Sequence, residues 1–284
     1  MKNLTKPEKP LKVIVFDTTM RDGELTPGVK MNVQQKIRLA KLLETIGVDV
    51  IEVGYPGQYD KDFDEIVTIA KQIKTSTICG LASFKREEIL RVAEAIKPAN
   101  QGRIHTYTSV NIPSHREADV LATINESISL CRNLCDDVEW SAFDAPRSDP
   151  DFLCQAIEVA IRQGATTINI PDSLGLELPE SFAKLMQMIG NRVPTIDKAV
   201  LSVHCHNDLG KAVENSIIGL EWGVRQIECS INGLGARKGN ADLCQVILQL
   251  LKQGKYHIDI DTSLINTASK FVSEITGIPS HNQE

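Results

Sequence analysis

Short β-rich apolar runs alternate along the chain with longer stretches whose apolar residues recur at helical spacing. The runs are KVIVFD (12–17), VDVIEVG (48–54), STICGLA (76–82), GRIHTYT (102–108), DVEWSAF (137–143), ATTINIPD (165–172), AVLSVHCH (199–206) and VRQIECSIN (224–232). These eight recur every roughly 25–35 residues, the spacing of repeated strand–helix units. Between the first two runs, NVQQKIRLAKLLETIG (32–47) sets Val33, Ile37, Ala40 and Leu43 or Ile46 on one helical face. Asn32 stands where an N-cap belongs and Gly47 where the helix stops. DPDFLCQAIEVAIRQGA (149–165) has the same shape, with Asp149 as cap, Pro150 in the first turn and Gly164 after the end. LPESFAKLMQMIG (178–190) repeats the theme.

Eight such units in about 250 residues predict an α/β fold of the (β/α)8 TIM-barrel type, a single domain over residues 11–284. A doubly wound sheet is the rival, but it calls for a Gly-rich phosphate turn after its first strand. The first strand here ends in the polar DTTMRDGE. The tail DTSLINTASKFVSEITGIPSHNQE has room for a short helical extension after the eighth unit. The polar, proline-punctuated MKNLTKPEKP (1–10) is expected to be a disordered N-terminal segment.

Composition narrows the partners. The 284 residues are 42% apolar and 24% charged, enough for one large core. A net charge of −6 argues against nucleic acid or an anionic membrane as the main partner, so an anionic substrate needs a local positive site. No signal-peptide core or membrane-length apolar run occurs, and the seven cysteines are odd in number and scattered, with no CxxC. A soluble cytoplasmic protein with free thiols is expected.

In a barrel the chemistry gathers at the C-terminal ends of the strands. In LSVHCHNDLG (201–210), side-chain alternation points His204 and His206 the same way and Cys205 the other. Two imidazoles at the end of strand seven either hold one metal or are merely hydrogen-bonded at the barrel mouth. FDTTMRDGE ends strand one with Asp17, Arg21, Asp22 and Glu24. Strands one and seven are separated only by strand eight, so Asp22 can meet both histidines. Two histidines and a carboxylate with open positions suit a catalytic divalent metal; the bland alternative is a solvated, charged turn. After strand eight, INGLGARKGNADL (231–243) offers three glycines for close backbone approach, the charges of Arg237 and Lys238, and Asn240, which is equally well placed as a helix N-cap. His105 and Thr106, Ser141 and Asp144, Asp172 and Ser173, and Glu52 complete a ring of strand-end polar groups, expected to form a polar pocket above an apolar barrel. Glu52 suits a buried acid paired with an arginine, and His105 a satisfied core histidine.

These residues bring a resemblance with them. FDTTMRDGE, RIHTYT, DDVEWSAFDAPRSD, GATTINIPDSLG and SVHCHNDLGKAVENS…GVRQIECSINGLGARKGNADL resemble the 2-isopropylmalate synthase and homocitrate synthase family, closest to the 2-isopropylmalate synthase branch, over about residues 12–280. The resemblance implies a barrel with a divalent metal (Mn²⁺, Mg²⁺ or Zn²⁺). It implies Claisen-type condensation of an acyl-CoA, usually acetyl-CoA, with a 2-oxo acid and loss of CoA, in amino-acid biosynthesis. Position by position, Asp22, His204 and His206 match the family's metal ligands and Asn240 a residue near the metal. Arg21 matches the arginine beside the reacting carbonyl. His105, Ser141 and Ser173 match positions lining the oxo-acid pocket. Family members are typically dimers, so a homodimer is expected.

Three departures from the family pattern stand out. Leu25 replaces the glutamine of RDGEQ, and Phe143 in SAFD replaces a glutamate. The chain also reads as the catalytic barrel alone, without the family's C-terminal subdomain or regulatory domain. Three readings follow: a condensing enzyme for a different 2-oxo acid; the catalytic-barrel subunit of a split synthase needing a partner chain; or a barrel that has lost condensation and acts as a C–C lyase or aldolase of the 3-hydroxy-3-methylglutaryl-CoA lyase superfamily or as a non-catalytic partner.

Overall fold

A computed structural model describes residues 10–279, so all but the last residue of the expected disordered N-terminal segment lies outside the described residues. Eight parallel strands close into a barrel in chain order. They are β1 (Ile14–Asp17), β2 (Val50–Gly54), β3 (Thr77–Ser83), β4 (Gly102–Ser109), β5 (Val138–Phe143), β6 (Thr167–Asp172), β7 (Val200–Cys205) and β8 (Val224–Cys229). β8 returns to β1, pairing Ile14 with Gln226 and Asp17 with Cys229. The (β/α)8 expectation holds, and each of the eight apolar runs carries one strand.

The helices outside the barrel are α1 (Val33–Ile46), α2 (Asp60–Ala70), α3 (Arg86–Ile96), α4 (Glu117–Leu134), α5 (Pro150–Arg162), α6 (Pro179–Arg192), α7 (Ala212–Gly219) and α8 (Leu243–Gln253). Their ends follow local chemistry. Asn32 and Gln35 form a reciprocal capping box at the start of α1, and Gly47 ends it at φ 95°. Asp149 accepts from the amides of Asp151 and Phe152 at the start of α5, with Pro150 in the first turn. The tail forms the expected extra helix, α9 (Ile265–Thr276). Its Phe271 lies under the Arg38 guanidinium of α1, 4.4 Å from the ring centre. No helix among the described residues is long and apolar enough to cross a membrane.

The main core lies between barrel and helices, where Val13, Val15, Ile51, Ile78, Ile104, Ile168, Val203 and Ile227 meet the inner helix faces. The alternate residues point into the barrel, and here the expected apolar interior is not what forms. Phe16, Val50 and Cys79, with Ile14, make a small apolar plug. Next to it the interior carries hydrogen-bonded polar side chains. Arg103 donates to Glu139 (2.9 Å) and to Gln226 (2.7 Å), and Gln226 donates to Glu139 and Ser202. The i, i+2 pairs Arg103/His105, Glu139/Ser141 and Gln226/Glu228 carry this pattern in the sequence, and a search confined to strand ends passes over it.

Candidate metal centre

Asp22, His204 and His206 converge as the sequence suggested. Each is largely buried, and each brings one ligand atom within 4.8 Å of the others. β7 ends at Cys205, so alternation aims both imidazoles into the mouth, their ring centres 4.9 Å apart. Cys205 is buried on the opposite side, where burial pushes its thiol well above the usual range. Asp22 opens the short 3-10 turn Asp22–Leu25 after β1. It is fixed there by Arg21, whose Nη1 donates at 2.8 Å.

Asn240 is not a helix cap. α8 starts two residues later than that role requires, and Asp242 caps it by accepting from the Gln245 amide. The Asn240 amide instead donates to Asp22 Oδ2 (2.8 Å) and to the Leu234 carbonyl, so its oxygen faces His204 Nε2 at 3.0 Å. His204 Nδ1 donates to Glu228 Oε2 at 2.7 Å. His204 thus stands between acceptors on both sides. Burial lowers its pKa, but the Glu228 hydrogen bond and charge, with Asp22, outweigh this and raise it overall. Burial and the neighbouring His204 push His206 down to about 4. Burial alone would raise Asp22, yet Arg21 and the two histidines hold it below its ordinary value. His206 Nδ1 is buried with no hydrogen-bond partner among the described residues. Two imidazoles, one of them with an orphaned nitrogen, a carboxylate and an amide oxygen are a donor set that fits a divalent ion.

A second chain of contacts runs from Arg21. Its Nε donates to Glu52 Oε2 at 2.6 Å, confirming Glu52 as a buried acid paired with an arginine. Burial raises Glu52, but Arg21 and the His105 hydrogen bond hold it far below the usual carboxylate range. His105 Nδ1 meets Glu52 Oε1 at 2.8 Å, its Nε2 meets Ser141 Oγ at 2.7 Å, and Asn169 donates to that same hydroxyl. His105 is therefore fully satisfied while also lining the cavity.

That cavity holds about 940 Å³ above the cluster and is lined by Arg21, Asp22, His105, Ser141, Ser173, His204 and His206 among others. Ser173 accepts from the Asp144 amide and stands on the lining. Several sequence candidates serve structure instead. Asp172 accepts from the amides of Leu176 and Glu177, and Asp144 pairs with Arg147 and Asn111. Asp17 accepts from Thr19, Glu24 pairs with Lys36 and Lys61, and Thr106 is buried away from the lining. Arg237 reaches the rim with its charge taken by Asp208 (3.0 Å), and Lys238 is exposed outside the cavity. Sequence reasoning missed Glu228, which orients His204, and Tyr55 and Tyr107 on the wall. Glu228 sits one strand over from His204 in register, a pairing invisible without the barrel.

The HMGL-like family profile matches residues 12–272. The chain is 49% identical over 278 residues to a protein named 2-isopropylmalate synthase from Rhodopseudomonas palustris (strain TIE-1), covering 94% of this chain and 53% of that protein. It is 44% identical over 288 residues to one so named from Methylorubrum populi, covering 98% and 55%. The chain thus spans about half the length of the curated relatives it matches. Among solved structures, HMG-CoA lyase from Brucella melitensis superposes with TM-score 0.78 at 20% identity, over 94% of this chain and all of that one. An HMG-CoA lyase from Acinetobacter baumannii in complex with coenzyme A and 3-methylmalate gives 0.79 at 19%, over 96% and 93%. At that identity the likeness concerns the fold.

Proposed function

The chain belongs to the HMGL-like family, and from that premise we propose that it is a metal-dependent condensing enzyme. It adds an acyl-CoA, acetyl-CoA in the first instance, to a 2-oxo acid and releases CoA. One observation carries the reading: Asp22, His204 and His206 bring ligand atoms within 4.8 Å of one another at the cavity floor. Identity of 44–49% to proteins named as synthases favours condensation over the cleavage carried out by the lyases, which share the fold at 19–20%.

Asp22, His204 and His206 are the proposed ligands, with Asn240 beside them. A divalent ion held there, Mn²⁺, Mg²⁺ or Zn²⁺, would supply Lewis-acid polarisation of the 2-oxo acid's ketone. Glu228 fixes the His204 ring so that Nε2 faces the locus. Glu52 and Asp22 hold two nitrogens of the Arg21 guanidinium. The remaining edge is left for a substrate oxygen, where it stabilises negative charge developing on an enolate or alkoxide. His105, Ser141 and Ser173 line the oxo-acid side of the cavity. Because Ser141 is already held by His105 and Asn169, it is pre-oriented before substrate arrives.

The test is thiol release from acetyl-CoA by purified protein with each metal and a panel of 2-oxo acids, with the protein's own cysteines subtracted in a no-acid blank. Release that depends on one acid is the expected result. Release of a carbonyl product from a single hydroxyacyl-CoA would overturn the reading in favour of a lyase. Activity appearing only on addition of a second protein would make the chain the barrel subunit of a split synthase.

A further inference from the structure

We infer that the 2-oxo acid taken by this site carries a large apolar, aromatic side chain and no second carboxylate. The inference rests on the condensing reading above and concerns the wall of the same cavity. The metal-ligand cluster lies on the β7–β8–β1 side of the ring. Across the mouth, β4 and β5 present Tyr107 and Phe143, and Tyr55 follows β2 directly. Tyr107 and Phe143 have ring centres 6.1 Å apart and tilted, and Tyr55 meets Tyr107 edge-on at 6.4 Å. The phenol ends are accounted for: Tyr55 donates to Glu88 at 2.7 Å and lies 3.4 Å from the Tyr107 hydroxyl. What the three residues offer the cavity is therefore ring surface. Phe143 remains 45% exposed although it ends a buried strand, and Leu25, 44% exposed, lines the same space. A substrate anchored at the metal-ligand side projects its side chain toward this wall, where an aromatic ring finds tilted and edge-on partners.

Charge points the same way. The buried cation of the lining, Arg21, is already paired with Glu52 and Asp22, and the exposed Lys61 and Arg237 pair with Glu24 and Asp208. Lys30 stands exposed on the rim. A second carboxylate on the substrate would be drawn from water toward Phe143 with no buried cation to receive it.

Calorimetric titration of the Mn²⁺-loaded protein with phenylpyruvate, 2-oxoisovalerate and 2-oxoglutarate tests this without turnover. Phenylpyruvate is expected to bind roughly tenfold or more tighter than 2-oxoisovalerate, with 2-oxoglutarate weakest. Phe143→Ala should remove most of that preference, and Phe143→Glu should abolish it; Phe143 is half exposed, so both variants should fold. Tightest binding of 2-oxoisovalerate or 2-oxoglutarate would overturn the inference and leave the condensing reading standing. So would a preference unchanged in Phe143→Ala. If none of the three acids binds, the condensing reading itself falls, and the inference with it.

Discussion

At the scale of single residues, the centre depends on groups that hold one another in place. Asp22 and His206 are proposed as ligands, so Asp22→Ala and His206→Ala should each abolish stoichiometric Mn²⁺ binding by calorimetry; unchanged metal content would sink the assignment. On His204, Glu228 touches the far nitrogen, at 2.7 Å. Losses of such supporting partners commonly cost about 10–100-fold in metal affinity, and Glu228→Gln should fall in that range with the fold intact. The two histidines also carry opposite pH signatures in the metal-free protein. His206 is pushed down to about 4, so between its ordinary 6.5 and 4 the unfolded chain binds more protons than the folded one. Its stability contribution is present above pH 6.5 and is lost as the pH falls through 4. His204 is raised, so its contribution is present below 6.5 and is lost as the pH rises through its folded value. His206→Gln should therefore flatten the loss of urea resistance between pH 6.5 and 4. An acid limb of unchanged steepness would show that His206 is not the group responsible.

At the scale of elements, the segment between β8 and α8 decides whether the centre closes. Gly235 approaches so closely that an added Cβ would lie 2.5 Å from Asn240 Nδ2 and 2.9 Å from Asp22 Oδ2. Its φ is not in the left-handed region, so Gly235→Ala strains contacts rather than backbone. It should weaken Mn²⁺ binding severalfold while leaving the far-UV circular dichroism unchanged; unaltered affinity would mean that this approach does not shape the locus. Sequence patterning reached this segment as Gly-rich and close to a ligand, because glycine spacing is a local signal. It could not decide Asn240, because capping depends on where the first helical turn begins, and that turn starts at Leu243. α1 was readable for the opposite reason: Asn32, Gln35 and Gly47 state both of its ends in local chemistry. Asn32→Ala should accordingly cost about 1 kcal/mol in urea unfolding, with metal binding untouched.

At the scale of the whole molecule, eight runs and their spacing were enough to anticipate the closed barrel, and its closure is what brings Asp22 beside His204. What could not be read was the barrel interior, because pairing between β4, β5 and β8 is long-range in sequence. Arg103 reaches Gln226 across 123 residues. That interior joins the fold to the site: Arg103 meets Glu139, Glu139 lies beside Glu228, and Glu228 holds His204. Removing one partner from a buried ionic set leaves the others uncompensated, so Arg103→Met should destabilise the protein by about 3–5 kcal/mol. The loss should depend on pH. Burial, and then the charge of Glu228, push Glu139 up to about 8. Its contribution is therefore present below its ordinary value of 4.5 and is lost as the pH rises through 8. At pH 5.5 a protonated Glu139 partly tolerates the missing guanidinium, whereas at pH 9 two carboxylates face each other without it. Urea midpoints of Arg103→Met should thus fall further below the parent at pH 9 than at pH 5.5. An equal deficit at both values would mean that Arg103 acts through packing, and that the charge path to His204 ends at Glu228.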